Sequence, residues 1–389
     1  MNDWLWLVFA LLLAAAASGW WLGWRQGSHR GGRGKGLPGS YFQGLNYLLN
    51  EESDKAIEVF LELAEINQET IEIHLALGKL FRRRGEMDKA IRYHKHIISR
   101  PGLTAEQRTQ ALMELGEDYM QAGLLDRAER LFTEVAAHEH DEPGSARQLL
   151  SIYQQEKDWP KAIEQARRLG QVDGEHSAHL MSHFHCEMAE VAIEEGDQAQ
   201  AKQALRQARH HKPESVRARL IEARLAYINE AWEEALALYQ SACELDAEAL
   251  MLSAGAMEAA YHALGRVDEW QLWLEQFAGS TTVLTPALLL ARLQAEQDPR
   301  LAVQALMVRL EQRPTVRGLE QLMSIVASHH GHLDLVSPQL IGAVMQRLLS
   351  EQPRYRCRQC GFSSSTHHWQ CPSCRSWSST RLISGVWGE

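Results

Sequence analysis

The sequence predicts an all-α superhelical solenoid with a transmembrane helix before it and a small metal module after it. Three observations predict this. Small and aromatic residues recur at intervals of about 34 to 39 residues through the middle of the chain, the N-terminus holds a long uncharged run, and four cysteines crowd the tail.

At the N-terminus, Trp4 to Trp24 (WLWLVFALLLAAAASGWWLGW) contains no charged side chain. At about 1.5 Å of rise per residue, that length matches a hydrocarbon core of about 30 Å. Trp4 and Trp6 at one end, and Trp20, Trp21 and Trp24 at the other, supply aromatic rings for both interfaces. Arg25, Arg30, Arg33 and Lys35 follow the run and only Asp3 precedes it, so the positive-inside rule puts the bulk of the chain in the cytoplasm. A cleaved secretory signal carries its positive charge before the apolar stretch, so residues 1–25 are expected to be an uncleaved anchor. The glycine- and arginine-rich stretch 26–40 has no apolar face and is expected to be a juxtamembrane linker.

From residue 41 to 350 the periodicity takes over. Gly44, Tyr47, Ala56 and Phe60 are followed in register by Gly78, Phe81, Ala90 and His94, then by Gly116, Tyr119, Ala128 and Phe132. The series continues through Leu150, Tyr153, Ala162 and Ala166, then Ala189, Ala192, Ala201 and Leu205, and finally Ala223, Ala226, Ala235 and Tyr239. A small residue, an aromatic three positions later, and an alanine where two helices cross closely form the signature of tetratricopeptide repeats. Six clear units are expected. Turns are expected at Gly85-Glu86, Gly123 and Gly196-Asp197, and the two longer steps imply extended helices or loops. A seventh unit around Gly255, Tyr261, Gly265 and Trp270 to Phe277 puts tryptophan where alanine belongs, and later units are degenerate. With 50 acidic against 40 basic side chains and a formal net charge of -10, the array is not expected to bind nucleic acid. Its ligand should be a peptide segment, a protein or another helix.

Residues 351–389 carry Cys357-x2-Cys360 and Cys371-x2-Cys374. Two tight turns, each presenting two thiolates, close a tetrahedron around one iron or zinc ion, and a reducing compartment favours metal over disulfides. Gly361 permits a left-handed backbone after the first pair, whereas Arg375 occupies that place after the second. Trp369, Phe362 and Trp377 are expected to wrap the metal as a small core. A closed four-cysteine shell leaves no position for substrate, so no catalytic residue is assigned. His176, His179, His183 and His185 lack a metal-protease motif and are expected to be exposed or to line a cavity, as are His329, His330 and His332 around Gly331. Cys186 and Cys243 are expected to be small buried hydrophobes. Arg354, Arg356, Arg358, Arg375 and Arg381 make the tail basic, which suits membrane lipid or an acidic partner.

Taken together, Trp4 to Trp24, the repeats and the Cys-x-x-Cys-Gly-Phe…Cys-Pro-Ser-Cys-Arg-x-Trp tail resemble the lipopolysaccharide assembly protein B family of Gram-negative bacteria over essentially the whole chain. The resemblance implies a non-enzymatic, single-pass inner-membrane protein with its N-terminus periplasmic and a C-terminal rubredoxin-like module packed on the repeats. It also implies an adaptor through which the membrane-anchored protease FtsH degrades the lipid A pathway deacetylase. Inner-membrane regulatory and lipopolysaccharide-transport proteins are implied as further partners, and a homodimer is allowed. Cys357, Cys360, Cys371 and Cys374 match the family's metal ligands. Arg375 in place of glycine, and Arg358 where a rubredoxin turn commonly has proline, depart from a free-standing electron carrier. An iron redox protein and a nucleic-acid-binding zinc ribbon remain the alternative readings.

Overall fold

The computed structural model describes residues 39–49, 52–66, 71–137, 142–171, 173–312, 315–329, 345–346, 349–350 and 352–385. Among these residues the chain forms helices followed by one small sheet, in two compact units, 1–142 and 143–389.

The first unit contains α1 (Gly39–Leu49), α2 (Ser53–Ile66), α3 (Ile71–Arg83), α4 (Met87–Ile98), α5 (Ala105–Gln121) and α6 (Leu125–Ala137). They pair in sequence as the periodicity requires. Ala56, Ala90 and Ala128 sit at the crossings with no accessible surface. The small residue of each first helix exists because an aromatic ring of the second fills its place. A methyl group on Gly44 would lie 2.8 Å from the Phe60 ring, on Gly78 2.2 Å from His94 Nε2, and on Gly116 2.5 Å from Phe132 Cε1. His94 is the polar member of that series, and its Nδ1 lies 2.5 Å from Asp118 Oδ2 on α5, both side chains being wholly buried. Asp118 also accepts from Arg82, which reaches Glu114 and Glu117 as well. Burial alone would raise the Glu114 carboxyl, but hydrogen bonds from Lys79 and Arg82 outweigh it and hold its pKa below the ordinary value.

The second unit begins with α7 (Glu142–Glu156), α8 (Trp159–Leu169), α9 (Gly174–Glu194), α10 (Gln198–His211), α11 (Val216–Ile228) and α12 (Trp232–Leu245). It continues with α13 (Ala249–Ala263), α14 (Val267–Ser280), α15 (Thr285–Gln297), α16 (Pro299–Gln312) and α17 (Val316–His329). Ala162, Ala201 and Ala235 are again fully buried at crossings. In the seventh pair Trp270 takes the alanine position and is also fully buried, stacked on Tyr261 at 5.3 Å and on Trp273 at 5.5 Å. Gly255, by contrast, faces open space and is not part of a crossing.

The turns inside the pairs repeat one geometry. Gly85, Gly123, Gly196 and Gly265 have φ of 78°, 73°, 81° and 68°, while Lys157 and Glu230 occupy the same place with φ of 58° and 57°. In each, the next N–H returns to a carbonyl five residues back, as from Glu86 to Phe81 and from Ala231 to Ala226, which satisfies the helix C-terminus. N-terminal N–H groups are met by Thr104, Asp158, Asp173, Asp197 and Ser215.

Two expectations are corrected. Among the described residues no helix is long and apolar enough to cross a membrane. The expected anchor Trp4 to Trp24 lies outside the described residues, as does 26–38 of the expected linker, whose last residues already belong to α1. The fold is therefore an all-α repeat array with a small C-terminal sheet, and the transmembrane, single-pass inner-membrane assignment is without support in it. His329 closes α17, and His330 to His332 lie outside the described residues.

Candidate metal centre and its seat on the helices

The tail folds as three short antiparallel strands, β1 (Tyr355–Cys357), β2 (Ser363–Ser364) and β3 (Thr380–Leu382), in the order β2-β1-β3. Tyr355 pairs with Ser364 on one side and Leu382 on the other. The two cysteine turns have matching geometry. Gly361 N–H donates to Cys357 O at 3.0 Å and Arg375 N–H to Cys371 O at 2.8 Å, with φ of 79° at Gly361 and 59° at Arg375. Arg375 thus adopts the left-handed backbone that glycine holds in the first turn, at a cost of roughly 1–2 kcal/mol.

The turns bring Cys357, Cys360, Cys371 and Cys374 together so that all four sulfurs lie within 4.8 Å of one another. Cys357 and Cys374, and Cys360 and Cys371, are each 3.7 Å apart. A tetrahedron with metal–sulfur bonds of about 2.3 Å has edges of about 3.8 Å, so the cluster is able to bind iron or zinc. Its electrostatics suit a cation. Burial would raise the Cys357 thiol, but the Ser379 hydroxyl at 3.2 Å and the N–H groups of Cys360 and Gln359 bring it down to about 6. The Phe362 N–H similarly lowers Cys360. Cys374 receives the Ser376 N–H, yet burial and the neighbouring sulfurs of Cys360, Cys357 and Cys371 push it up to about 12. Four thiolates coexist here only when a metal ion compensates their charge.

The sheet sits on the helices of its own unit. Trp377 Nε1 and Gln370 Nε2 both donate to Gln154 Oε1 on α7, at 3.1 and 3.0 Å. The Trp377 ring stacks on His183 of α9 at 4.8 Å and meets Phe184 and Trp159 edge-on at 5.8 and 6.4 Å. Arg217 of α11 lies over both Trp369 and Trp377, at 5.6 and 5.7 Å, while its Nη2 donates to Glu187 and Glu190. Burial opposes the charge of this guanidinium, but Glu190 and Glu187 outweigh it and raise its pKa. On the far side Arg381 pairs with Asp246 and Glu248, and Glu248 accepts from Leu382 N–H.

Several expected residues are placed differently from the sequence reading. Trp369 and Trp377 pack on His183 and Arg217 of the helices, and Phe362 is 36% exposed. His183 is buried beneath the module and His179 is half-buried beside it. Neither belongs to the one group of potential ligands found among the described residues. Cys186 and Cys243 are buried, and burial lifts their thiols to about 12 and about 11, as suits apolar packing. Of the basic tail, Arg354, Arg356, Arg358 and Arg375 are exposed and Arg381 is engaged. Sequence reasoning missed Gln154, Trp159, Phe184, Arg217, Asp246 and Glu248. One signal pointed there: the longest step in the repeat produces the 21-residue α9, and this added length seats the module.

Fold and site together define a tetratricopeptide-repeat protein carrying a four-cysteine, rubredoxin-type ribbon. Models of the tetratricopeptide repeat match residues 73–104 and 186–249, and a rubredoxin metal binding domain matches 355–381. Lipopolysaccharide assembly protein B of Escherichia coli K12 is 34% identical over 98% of this chain and 99% of its own length. The protein of that name from Haemophilus influenzae is 29% identical over 97% of this chain and 98% of its own. The chain therefore belongs to the lipopolysaccharide assembly protein B family, and with that family it is not an enzyme. Among solved structures, a repeat-containing protein from Cytophaga hutchinsonii is 14% identical, covering 72% of this chain and 99% of its own, at a TM-score of 0.39.

Proposed function

We propose that the chain is a non-enzymatic adaptor that restrains lipopolysaccharide synthesis by presenting the lipid A pathway deacetylase to the protease FtsH, and that it also coordinates lipopolysaccharide assembly. In this reading Cys357, Cys360, Cys371 and Cys374 ligate one structural iron or zinc ion, and residues 351–389 act as one module on the array of 41–350. Family membership over nearly the whole chain supports the pathway. The observation that carries the adaptor role is the seating of Trp377 between the metal turn and α7 to α9. There the metal centre consolidates a binding scaffold and leaves no ligand position for substrate. Further partners in this reading are inner-membrane regulatory and lipopolysaccharide-transport proteins.

The test is the half-life of the deacetylase in cells whose only copy of this protein is wild type or Cys371→Ser, with protein levels matched. Rapid turnover in wild type and a several-fold longer half-life in the variant are expected. Equal half-lives in cells with and without the protein would overturn the reading.

A further inference from the structure

A groove of about 640 Å³ opens between α7, α9 and the second cysteine turn. Its floor is apolar, formed by Leu150, Leu180 and Trp377, each largely buried. Its walls carry Arg147 from α7 and Arg375 from the turn. Both residues are exposed, and among the described residues neither side chain has an ion-pair or hydrogen-bond partner. Arg217 and Arg381 nearby are instead tied to carboxylates. The one carboxylate lining the groove, Asp173, is occupied at the start of α9, where it accepts the His176 N–H at 3.1 Å.

The position of Arg375 adds to this. A left-handed backbone with φ of 59° at a long side chain is costly, and glycine would serve the turn better. Here the strained residue brings a guanidinium to the lining of the same groove as an arginine of the repeats. Arginine presents a planar fork suited to carboxylates, and its weak hydration lets it bind them beside an apolar floor. The volume falls in the range of sites that enclose a few residues of a ligand. The formal charge of the whole chain is -10, so this groove is a local exception to an acidic protein.

We propose that the groove receives a short acidic segment of a protein partner, its carboxylates on Arg147 and Arg375 and an apolar side chain on Leu150, Leu180 and Trp377. The site is composite, lined mostly by the repeats and completed by the metal module, so it exists only while the module is seated. This deepens the adaptor reading by naming the kind of partner sequence the scaffold takes, and it rests on that reading only for its biological purpose.

The test uses the full zinc-loaded chain and a fluorescein-labelled decapeptide of alternating Glu and Leu, followed by anisotropy. Saturable binding is expected, weakening as salt rises, with roughly 10-fold loss for Arg147→Ala and for Arg375→Gly. Arg375→Gly suits the φ of the turn and so removes the charge without breaking the knuckle, which retained metal stoichiometry verifies. Arg356→Ala, an exposed charge outside the groove, should bind as wild type. The proposal is overturned by equal binding of a Lys-Leu decapeptide, by unchanged affinity in both groove variants, or by a single-stranded oligonucleotide that displaces the peptide. Absent peptide binding with normal deacetylase turnover removes the groove and leaves the adaptor reading standing. Turnover that never depends on the chain removes the adaptor reading, while the binding isotherm still decides the groove.

Discussion

His183 Nε2 on α9 lies 2.7 Å from Ser378 Oγ, 195 residues further along the chain. The same imidazole stacks on Trp377, one residue before that serine, with the planes inclined by 20°. One buried side chain therefore holds the metal module through both faces of its chemistry, a hydrogen bond at the edge and a ring at the face. Replacing it separates the two contributions. His183→Phe keeps the ring and should cost about 1 kcal/mol, whereas His183→Ala also leaves a cavity against Trp377 and should cost about 2–4 kcal/mol. Urea unfolding followed by tryptophan fluorescence measures both. A double-mutant cycle with Ser378→Ala should give a coupling of about 1 kcal/mol, and zero coupling would remove the hydrogen bond from the account.

Metal removal should unseat the module. The residues that touch the helices, Gln370, Trp377 and Ser378, flank Cys371 and Cys374, and the segment holds Arg375 and Ser378 at φ of 59° and 50°. Those strained positions persist only while the surrounding structure fixes them. A module of this size buries too little apolar surface to stay folded on its own. A chelator, or Cys371→Ser, should redshift the emission of Trp377 and expose residues 353–385 to protease, with α1 to α6 retaining their helical signal. Full protection of the tail in metal-free protein would contradict this.

The repeat turns make a stability prediction that can be read without any ligand. Lys157 and Glu230 carry the left-handed backbone that four glycines carry elsewhere. Relief of roughly 1–2 kcal/mol of strain, offset by roughly 0.5–1 kcal/mol of added chain entropy, should leave Lys157→Gly and Glu230→Gly each slightly more stable. Gly196→Ala should move the other way. Calorimetry should show shifts of about 1–4 °C in those directions.

Glycines inside helices divide by what faces them. A methyl at Gly116 would meet Phe132 at 2.5 Å, so Gly116→Ala should destabilise by about 1–3 kcal/mol, whereas nothing lies near Gly255 and Gly255→Ala should stabilise by up to about 1 kcal/mol. Thermal denaturation of the two variants should move in opposite directions.

The helix pairs and their crossings were legible because each repeat solves one local problem. A small residue opposite a ring, and an alanine at the closest approach, leave a signal at fixed spacing, from Gly44 and Ala56 to Ala223 and Ala235. The four cysteines were legible for the same reason, since their spacing is set by turns of a few residues. The seat of the module was not. Gln154, His183, Arg217 and Asp246 meet Trp377, Ser378 and Arg381 across 135 to 223 residues, and no periodicity links them. His94 is instructive as a middle case. Its register was clear, yet the buried Asp118 that makes a histidine tolerable there lies on the next repeat.

Acidification should loosen the seat of the module before it melts the repeats. Burial, then the charges of Arg217, His179 and Lys212, hold the His183 pKa well below 6.5. Burial and Lys212 lower His179 to about 4, and burial with His368, Arg381 and Arg217 lowers His367 to about 4. All three histidines border the cavity between the module and the helices, a space of about 120 Å³ that also includes Glu214, Asp246 and Glu248. An unfolded histidine begins to bind its proton near pH 6.5, while these stay neutral in the folded state. Between pH 6.5 and about 4 the unfolded or unseated chain thus binds more protons, and stability falls as pH falls. His183 contributes up to about 1.4 kcal/mol per pH unit, and His179, half-exposed, contributes less after solvent screening. Protease protection of residues 353–385 should therefore be complete at pH 7.5 and reduced at pH 5. Metal release runs in the same direction, so bound zinc is measured in parallel, and His183→Phe separates the two. That variant should start less stable at pH 7.5 yet lose less on acidification than wild type, and an identical pH slope in both proteins would assign the whole effect to the metal.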